Sequence, residues 1–505
     1  MSDRLSPLDL PFLYVEGPGL PMHVGAVAIF ETPAGGFAPA QLLDLVRAQL
    51  DQLPRYRQRL RPVPGHVAAP VWVDDAQFDL NYHVRHSVLP RPGSVDQLRE
   101  LVARVHARRL DRARPLWEIY LVEGLADGSR FALVTKTHEV MVDEDVPDLV
   151  QVILSDRPTA GRPIEGTSFA GTQPARARTL DRADTNEVEP DLDQDGAGEE
   201  SRANGEPSDL ELLRTALVDL VGHPGRLGDA IRGAVGDLRG TAWRLGQLAG
   251  RSIADLAKLS TRLGPRGAPP SPLNVTVGET RRYAMVRTEL DVYRQIRAVH
   301  GGTVNDVVLT VVAGALRAWL LARGEAVTSR TSLRALLPVS VAMTGGAAGM
   351  TGGPAGLVGT YLVDLPVGEP SPVMRLHQIR YRMHAHNAGD ERVAAGVLST
   401  LSGFAPPTLH ALGARVANQL SRRIYNLVVT NGPGPQEPRY AAGARLLEAY
   451  PVVPLTAGHA LSIGATSYCG VIGYGLLADR AAVADLDVLG QCLTEALSEL
   501  AEAVR

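Results

Sequence analysis

His138 and Glu139 stand side by side, and Asp143 follows four residues after Glu139. An imidazole or a carboxylate held out of bulk water can take and return a proton near neutral pH, so these types at this spacing could do acid–base chemistry. The same residues would equally serve a polar turn and a helix cap. The run Phe131 to Thr137 before them is apolar and β-branched and reads as a buried strand. Asp143-Glu144-Asp145 opens a second apolar run, Val146 to Leu154, which reads as a helix with acidic residues at its positive end. The polar residues therefore lie at a strand-to-helix turn, and what surrounds that turn decides between the two readings.

Composition narrows the setting. The chain has 505 residues, 45% of them hydrophobic, enough for two or three domains with buried cores. The net charge is −4 and the basic residues form no clustered stripe, so no nucleic-acid partner is expected. Arginine supplies nearly all the positive charge; the lysines are Lys136 and Lys258. Cys469 and Cys492 make neither a disulfide framework nor a zinc site, and a reducing cytoplasm is the natural compartment. The stretch Met1 to Asp9 carries charge and proline where a signal peptide would be apolar. No stretch reads as a membrane span, though peripheral contact with a membrane stays open. His377, His384 and His386 show no ligand pattern, and no metal is expected.

The elements that must position the turn follow from periodicity. His23 to Phe30 reads as a strand, Pro39 to Leu53 and Val95 to Leu110 as helices, and Phe78 to Val84 as extended chain. Arg114 to Gly124 is a strand that pairs with Phe131 to Thr137 across a turn at Asp127-Gly128. Residues 1–156 thus form a first α/β domain. Residues 157–207 are rich in Pro, Gly, Ser, Thr and acids and read as a disordered linker. Residues 208–272 have helical spacing, with arginines on the polar face, and read as a crossover with an amphipathic side that could meet anionic lipid. Residues 273–505 repeat the α/β pattern. Strands are expected at Tyr283 to Leu290, Leu333 to Val341, Gly356 to Leu365, Asn426 to Gly434, Ala460 to Tyr468 and Gly470 to Leu477. Helices are expected at Val292 to His300, Val307 to Leu321, Pro372 to Ala388, Ala395 to Leu420 and Val488 to Val504.

In register, Phe131 to Asp143 resembles the His-His-x-x-x-Asp-Gly motif of CoA-dependent acyltransferases, and the blocks around it resemble the bacterial wax ester synthase/diacylglycerol acyltransferase family. Ser6-Pro-Leu-Asp9, His23-Val-Gly25, Arg114-Pro-Leu-Trp-Glu118, Leu273-Asn274, Arg281-Arg282, Val304 to Leu309, Leu337 to Ser340 and Thr430 to Gly434 follow that family's order along nearly the whole chain. The resemblance implies an α/β (α+β) fold of two chloramphenicol-acetyltransferase-like domains, each a mixed sheet flanked by helices. It implies acyl-CoA as donor, with no further cofactor, and diacylglycerol or a fatty alcohol as acceptor. The sites it implies are His138, Glu139 and Asp143 for catalysis, and Asn305, Asp306, Asn431 and Gly434 for substrate binding. Capping and turn roles stand beside these for Asn305, Asp306 and Gly434. A cytoplasmic location, with contact to the inner membrane face or lipid bodies, would follow.

The chain departs from the pattern where the family's general base should be. The second histidine is replaced by Glu139 and the closing glycine by Glu144, with further departures at Ala342 and Ala355-Gly356. A carboxylate has an ordinary pKa about two units below that of imidazole, so Glu139 would need desolvation to act near neutral pH. The alternative is an inactive paralogue that binds acyl-CoA or lipid; a condensation-type enzyme acting on carrier-bound acyl groups is a third reading. No G-x-S-x-G nucleophile motif is present, so direct transfer is expected.

Overall fold

The computed structural model describes residues 4–6, 9–64, 68–142, 153–154, 267–340, 358–388 and 424–503. The expectations for Asp143, for most of the helix Val146 to Leu154, for the linker, for nearly all of the crossover, and for Ala395 to Leu420 lie outside those residues, as do Ala342 and Ala355-Gly356.

Two six-stranded sheets carry the fold. The strands are β1 (His23–Glu31), β2 (Gln58–Arg61), β3 (Val71–Asp74), β4 (Val84–Val88), β5 (Trp117–Leu125), β6 (Arg130–His138), β7 (Arg281–Glu289), β8 (Leu333–Ser340), β9 (Val358–Leu365), β10 (Leu427–Gly432), β11 (Tyr440–Ala441), β12 (Ala444–Val452), β13 (Leu461–Tyr468) and β14 (Val471–Asp479). The first sheet has the order β11-β12-β1-β6-β5-β4 and the second β7-β14-β13-β10-β8-β9, while β2 and β3 form a small separate ribbon. Both large sheets are mixed: β4 runs parallel to β5, and β10 parallel to β13 and β8. The helices are α1 (Leu10–Val15), α2 (Pro39–Leu50), α3 (Leu80–His83), α4 (Val95–Ala107), α5 (Leu290–His300), α6 (Val304–Ala322), α7 (Pro372–Ala388) and α8 (Leu486–Glu502).

Most expected elements form where their periodicity puts them, including the β5–β6 hairpin, whose connection runs through a short 3-10 turn at Ala126–Gly128. Two differ. Phe78 to Val84 is not extended throughout: Asp79 accepts a hydrogen bond from the Asn81 N–H at 2.9 Å and caps α3, and β4 starts only at Val84. The second difference is larger. β11 and β12 belong by sequence to the second half, yet they sit in the first sheet, with β12 antiparallel to β1. The boundary at 273 is therefore a boundary along the chain and not between the sheets.

This exchange covers β1, the neighbour of the motif strand, so that β6 lies deep in the sheet. β6 lies between β1 and β5, and β1 lies between β6 and β12, so Val27, Phe30, Phe131, Leu133 and Val134 are all buried. The core between the sheets mixes both halves: Val27, Ile29, Leu98, Val102 and Val134 pack with Tyr283, Met285, Tyr450 and Leu477. Polar contacts cross at the same level. The Arg99 guanidinium donates to the Met285 carbonyl at 2.8 Å, and the Tyr283 hydroxyl to the Pro451 carbonyl at 2.9 Å.

The second half has its own core around α6. That helix is long and apolar enough to cross a membrane, with a mean hydropathy of 1.6, but 72% of the window is buried inside the protein. It packs against α5, α7, α8 and β9, which accounts for its apolar surface without a bilayer.

The close approach of β14 to β12 leaves no room for a side chain at Gly475, where a Cβ would lie 1.8 Å from the Pro451 carbonyl oxygen and 2.6 Å from the Tyr283 hydroxyl. Gly475→Ala should therefore push the two sheets apart and destabilise the protein by about 1–3 kcal/mol, measured as a lower denaturation midpoint. An unchanged midpoint would mean that this contact is not needed.

Candidate active site

β6 ends at His138, and the chain turns at once into a single 3-10 turn, Glu139–Met141. Two backbone bonds pin the turn: the His138 N–H donates to the Leu116 carbonyl at 3.0 Å and the Glu139 N–H to the Met22 carbonyl at 3.0 Å. The His138 side chain completes it, because Nδ1 accepts the Val140 N–H at 3.2 Å. That acceptor role places the imidazole proton on Nε2, which faces Glu16 Oε2 at 3.7 Å. His138 is fully buried. Its position is that of a residue that shapes the turn: of the two roles open to it, a core histidine bonded to backbone and a catalytic group, the geometry matches the first.

Glu139 is the first residue of the 3-10 turn, just past the end of β6. Part of its surface stays accessible, so it lies in a recess rather than in a sealed core. Protein packed around the recess desolvates the carboxyl, the Asp9 carboxylate adds like-charge repulsion, and together they push its pKa up to about 7. Asp9 stands at the N-terminus of α1, which packs on the turn, so the block Ser6 to Asp9 meets the motif here.

Behind the turn lies a charge network, buried at Glu16, His23 and His138 and half-exposed at Arg112. Glu16 Oε1 is 3.1 Å from His23 Nε2, and Glu16 Oε2 accepts from Arg112 Nε at 3.0 Å and Nη2 at 2.6 Å. Burial would push the Glu16 carboxyl up, but the imidazoles of His138 and His23 outweigh it and hold the group well below the carboxylate range. Burial also lowers His23, to about 3, so His23 is neutral at physiological pH. Arg112 is then the permanent cation of the cluster. Glu16, His23 and His138 could hold a metal ion by the distances between their donor atoms, but the Arg112 guanidinium already balances the carboxylate.

Lys136, two residues before His138, is 1% exposed. Its ammonium donates to the Arg108 carbonyl at 2.5 Å and lies 3.8 Å from Glu118 Oε2. Burial lowers its pKa to about 8, against the opposing pull of Glu118. Glu118 also accepts the Tyr120 hydroxyl at 2.8 Å and pairs with Arg85 at 3.0 Å. Its neighbour Trp117 is buried, donates to the Tyr56 carbonyl at 2.7 Å and stacks on His83. The Pro-Leu-Trp-Glu block is thus scaffold for β6.

The expected substrate-binding residues fall elsewhere. Asn305 and Asn431 do meet: Asn431 Nδ2 donates to Asn305 Oδ1 at 3.1 Å, joining the start of α6 to the end of β10. Asp306 does not face a ligand. Its Oδ2 accepts the Thr303 N–H at 2.7 Å and hydroxyl at 2.9 Å, while Thr303 Oγ1 accepts the Asp306 N–H at 3.2 Å. That is a capping box, and it corrects the assignment of Asp306 to substrate binding. Gly434 packs on β13, where a Cβ would lie 2.1 Å from the Ser467 carbonyl oxygen. Close backbone packing, rather than a ligand, requires a glycine there.

Glu16 and Arg112 carry no local signal in the sequence; each acquires its role from a residue some hundred positions away. Removing the carboxylate would leave the buried His23 and His138 without their acceptor, while the half-exposed Arg112 guanidinium turns to water. Glu16→Ala should therefore cost about 1–3 kcal/mol, read as a fall in the urea midpoint. A change within experimental error would mean that water replaces the carboxylate at no cost.

Known proteins resemble this chain over nearly its whole length. Residues 5–308 match the wax ester synthase/diacylglycerol acyltransferase catalytic domain and residues 357–501 the C-terminal domain of the same family. A putative diacylglycerol O-acyltransferase of Mycobacterium tuberculosis is 32% identical over 509 residues, covering 99% of this chain and 100% of the relative. A probable diacylglycerol O-acyltransferase of the same organism is 31% identical, covering 99% and 96%. The solved wax ester synthase/diacylglycerol acyltransferase of Marinobacter aquaeolei VT8 superposes with a TM-score of 0.65 at 26% identity, over 99% of both chains. The first condensation domain of the calcium-dependent antibiotic synthetase shares the fold with a TM-score of 0.53 at 16% identity, over 99% of this chain and 96% of that one. The two mixed sheets flanked by helices are those of this acyltransferase fold, and the chain belongs to the wax ester synthase/diacylglycerol acyltransferase family.

Proposed function

We propose that the chain transfers a long-chain acyl group from acyl-CoA to the hydroxyl of diacylglycerol or a fatty alcohol, with Glu139 as general base. Membership of the family carries the O-acyltransferase activity. The observation that carries the role of Glu139 is its place: it occupies the second-histidine position, in a recess that raises its pKa to about 7. A base with a pKa near the working pH combines a useful ionised fraction with a useful proton affinity.

The chemistry balances without a covalent enzyme intermediate. The Glu139 carboxylate takes the acceptor's hydroxyl proton as that oxygen forms a bond to the thioester carbonyl carbon. Collapse of the tetrahedral intermediate breaks the carbon–sulfur bond, and the proton passes to the departing thiolate. Ester and free CoA thiol result. His138 positions the base by fixing the turn, and the Arg112–Glu16–His23 cluster supports His138 from behind. The work is at the inner membrane face or on lipid bodies, where both apolar substrates collect.

Two outcomes follow. Turnover should rise with pH through an apparent pKa near 7, as Glu139 ionises. Glu139→Gln should lower kcat about 10²–10⁴-fold, and Glu139→His should recover part of that loss, measured with labelled acyl-CoA and both acceptors. Full activity of Glu139→Gln would remove Glu139 from the mechanism. An inactive wild type beside an active Glu139→His would identify a disabled enzyme. The same ionisation has a stability signature. The folded pKa lies above the unfolded value of 4.5, so this group's contribution is complete below 4.5 and lost as pH rises through about 7. Glu139→Gln should therefore gain on wild type in Tm between pH 4.5 and 7.5, and parallel Tm curves would contradict the raised pKa.

A further inference from the structure

A second cavity, of ≈ 470 Å³, opens where the two halves meet, between the C-terminal end of α4, the segment at Gly19 and the start of β7. Its size lies within the roughly 300–1,000 Å³ usual for small-molecule sites. Five arginines line it, Arg104, Arg108, Arg109, Arg281 and Arg480, against the single acid Glu279. In a chain with a net charge of −4 this is a local excess of positive charge.

The arginines differ in role. Arg281 is buried and spent: its guanidinium donates to the Gly278 carbonyl at 2.7 Å and to the Gly19 carbonyl, clamping the two halves together. Arg104, Arg108, Arg109 and Arg480 are exposed, and their guanidinium groups make no ion pair or hydrogen bond among the described residues. Arg104 lies in the last turn of α4, Arg108 and Arg109 follow it directly, and Arg480 follows β14, so the fold brings Arg480 to three arginines already close along the chain. Arg108 and Arg109 also line the neighbouring charged cavity that reaches Glu16 and Lys136 behind the motif turn. Gly19 stands two residues before a second tie to the motif: Pro21 leads into Met22, whose carbonyl accepts the Glu139 N–H.

We infer that this cavity binds phosphate groups, and that the ligand is the phosphorylated nucleotide end of the acyl carrier. The inference rests on the acyl-CoA reading above and adds the place where the carrier is held. The phosphates of CoA carry roughly four negative charges at neutral pH. Four free guanidiniums with planar, paired donors suit such a ligand better than a lone headgroup charge.

Isothermal titration of the full chain with CoA, pantetheine and adenosine 3′,5′-bisphosphate tests this directly, because it needs no turnover. Wild type should bind CoA and the bisphosphate, more weakly as salt is raised. The double variant Arg104→Gln/Arg480→Gln should lose about tenfold or more in affinity for both while its affinity for pantetheine is unchanged; Arg104→Lys/Arg480→Lys should keep most of it. Equal CoA affinity in wild type and the glutamine variant overturns the inference, as does a wild type that binds neither phosphorylated probe. Sedimentation with phosphatidylglycerol vesicles separates the other phosphate source. Loss of vesicle binding in the variant with CoA affinity intact would make the cavity a membrane-headgroup site and overturn the carrier assignment. Ester formation from acyl-CoA by wild type, measured alongside, reports separately on the catalytic reading. A productive wild type whose CoA affinity ignores the arginines leaves that reading standing and removes this one.

Discussion

The antiparallel ladder between β1 and β12 is the constraint on which the rest depends. It pairs Gly25 to Phe30, near the start of the chain, with Leu446 to Val452, near its end. Every backbone group in a buried strand must find a partner, and β12 supplies the partners along one side of β1. Without it β1 would be an exposed edge, and the motif strand β6 would lie one strand from solvent. With it, the apolar residues of β1 and β6 are covered on both faces by side chains from both halves. The motif turn is therefore fixed by residues from both halves, and the recess at Glu139 inherits that rigidity.

Low local polarity then acts on each charged group according to its neighbours. At Glu16 the opposed imidazoles overcome burial and keep the carboxyl ionised. At His23 burial prevails and the ring is neutral. At Lys136 burial outweighs Glu118, and the ammonium's pKa falls to about 8. At Glu139 no cation among the described residues opposes burial, and Asp9 reinforces it. One short strand end thus leads from the paired scaffold at His138 to the raised carboxyl at Glu139. The replacement of an imidazole by a carboxylate is compensated in the same terms: the environment moves the weaker base into the range in which an imidazole ordinarily works.

Much of the fold was legible in order along the chain. Strand β6, the β5–β6 hairpin, α4, α6 and the closing strands and helix all follow from local periodicity, because burying one face demands apolar residues at fixed spacing. The short helix α3 was not legible, since Asp79 caps a turn inside a segment whose residues favour extension. The site was legible in part. Glu139 was marked by its position in the motif, but Asp306 and Gly434 were marked by the same pattern and turned out to serve a cap and a close backbone contact.

The sequence by itself determined the family blocks, the strand that carries the motif and the substitution of Glu139 at the base position, because these depend on residues adjacent along the chain. Only the tertiary structure decided that β12 completes the first sheet, that Glu16 and Arg112 buttress His138, and that Arg480 joins three arginines at the end of α4 around one cavity. Each of those joins residues about a hundred or more positions apart, or unites the ends of separate elements. Burial and charge pairing of that kind exist only once the sheets have closed on one another, so no local pattern in the chain encodes them.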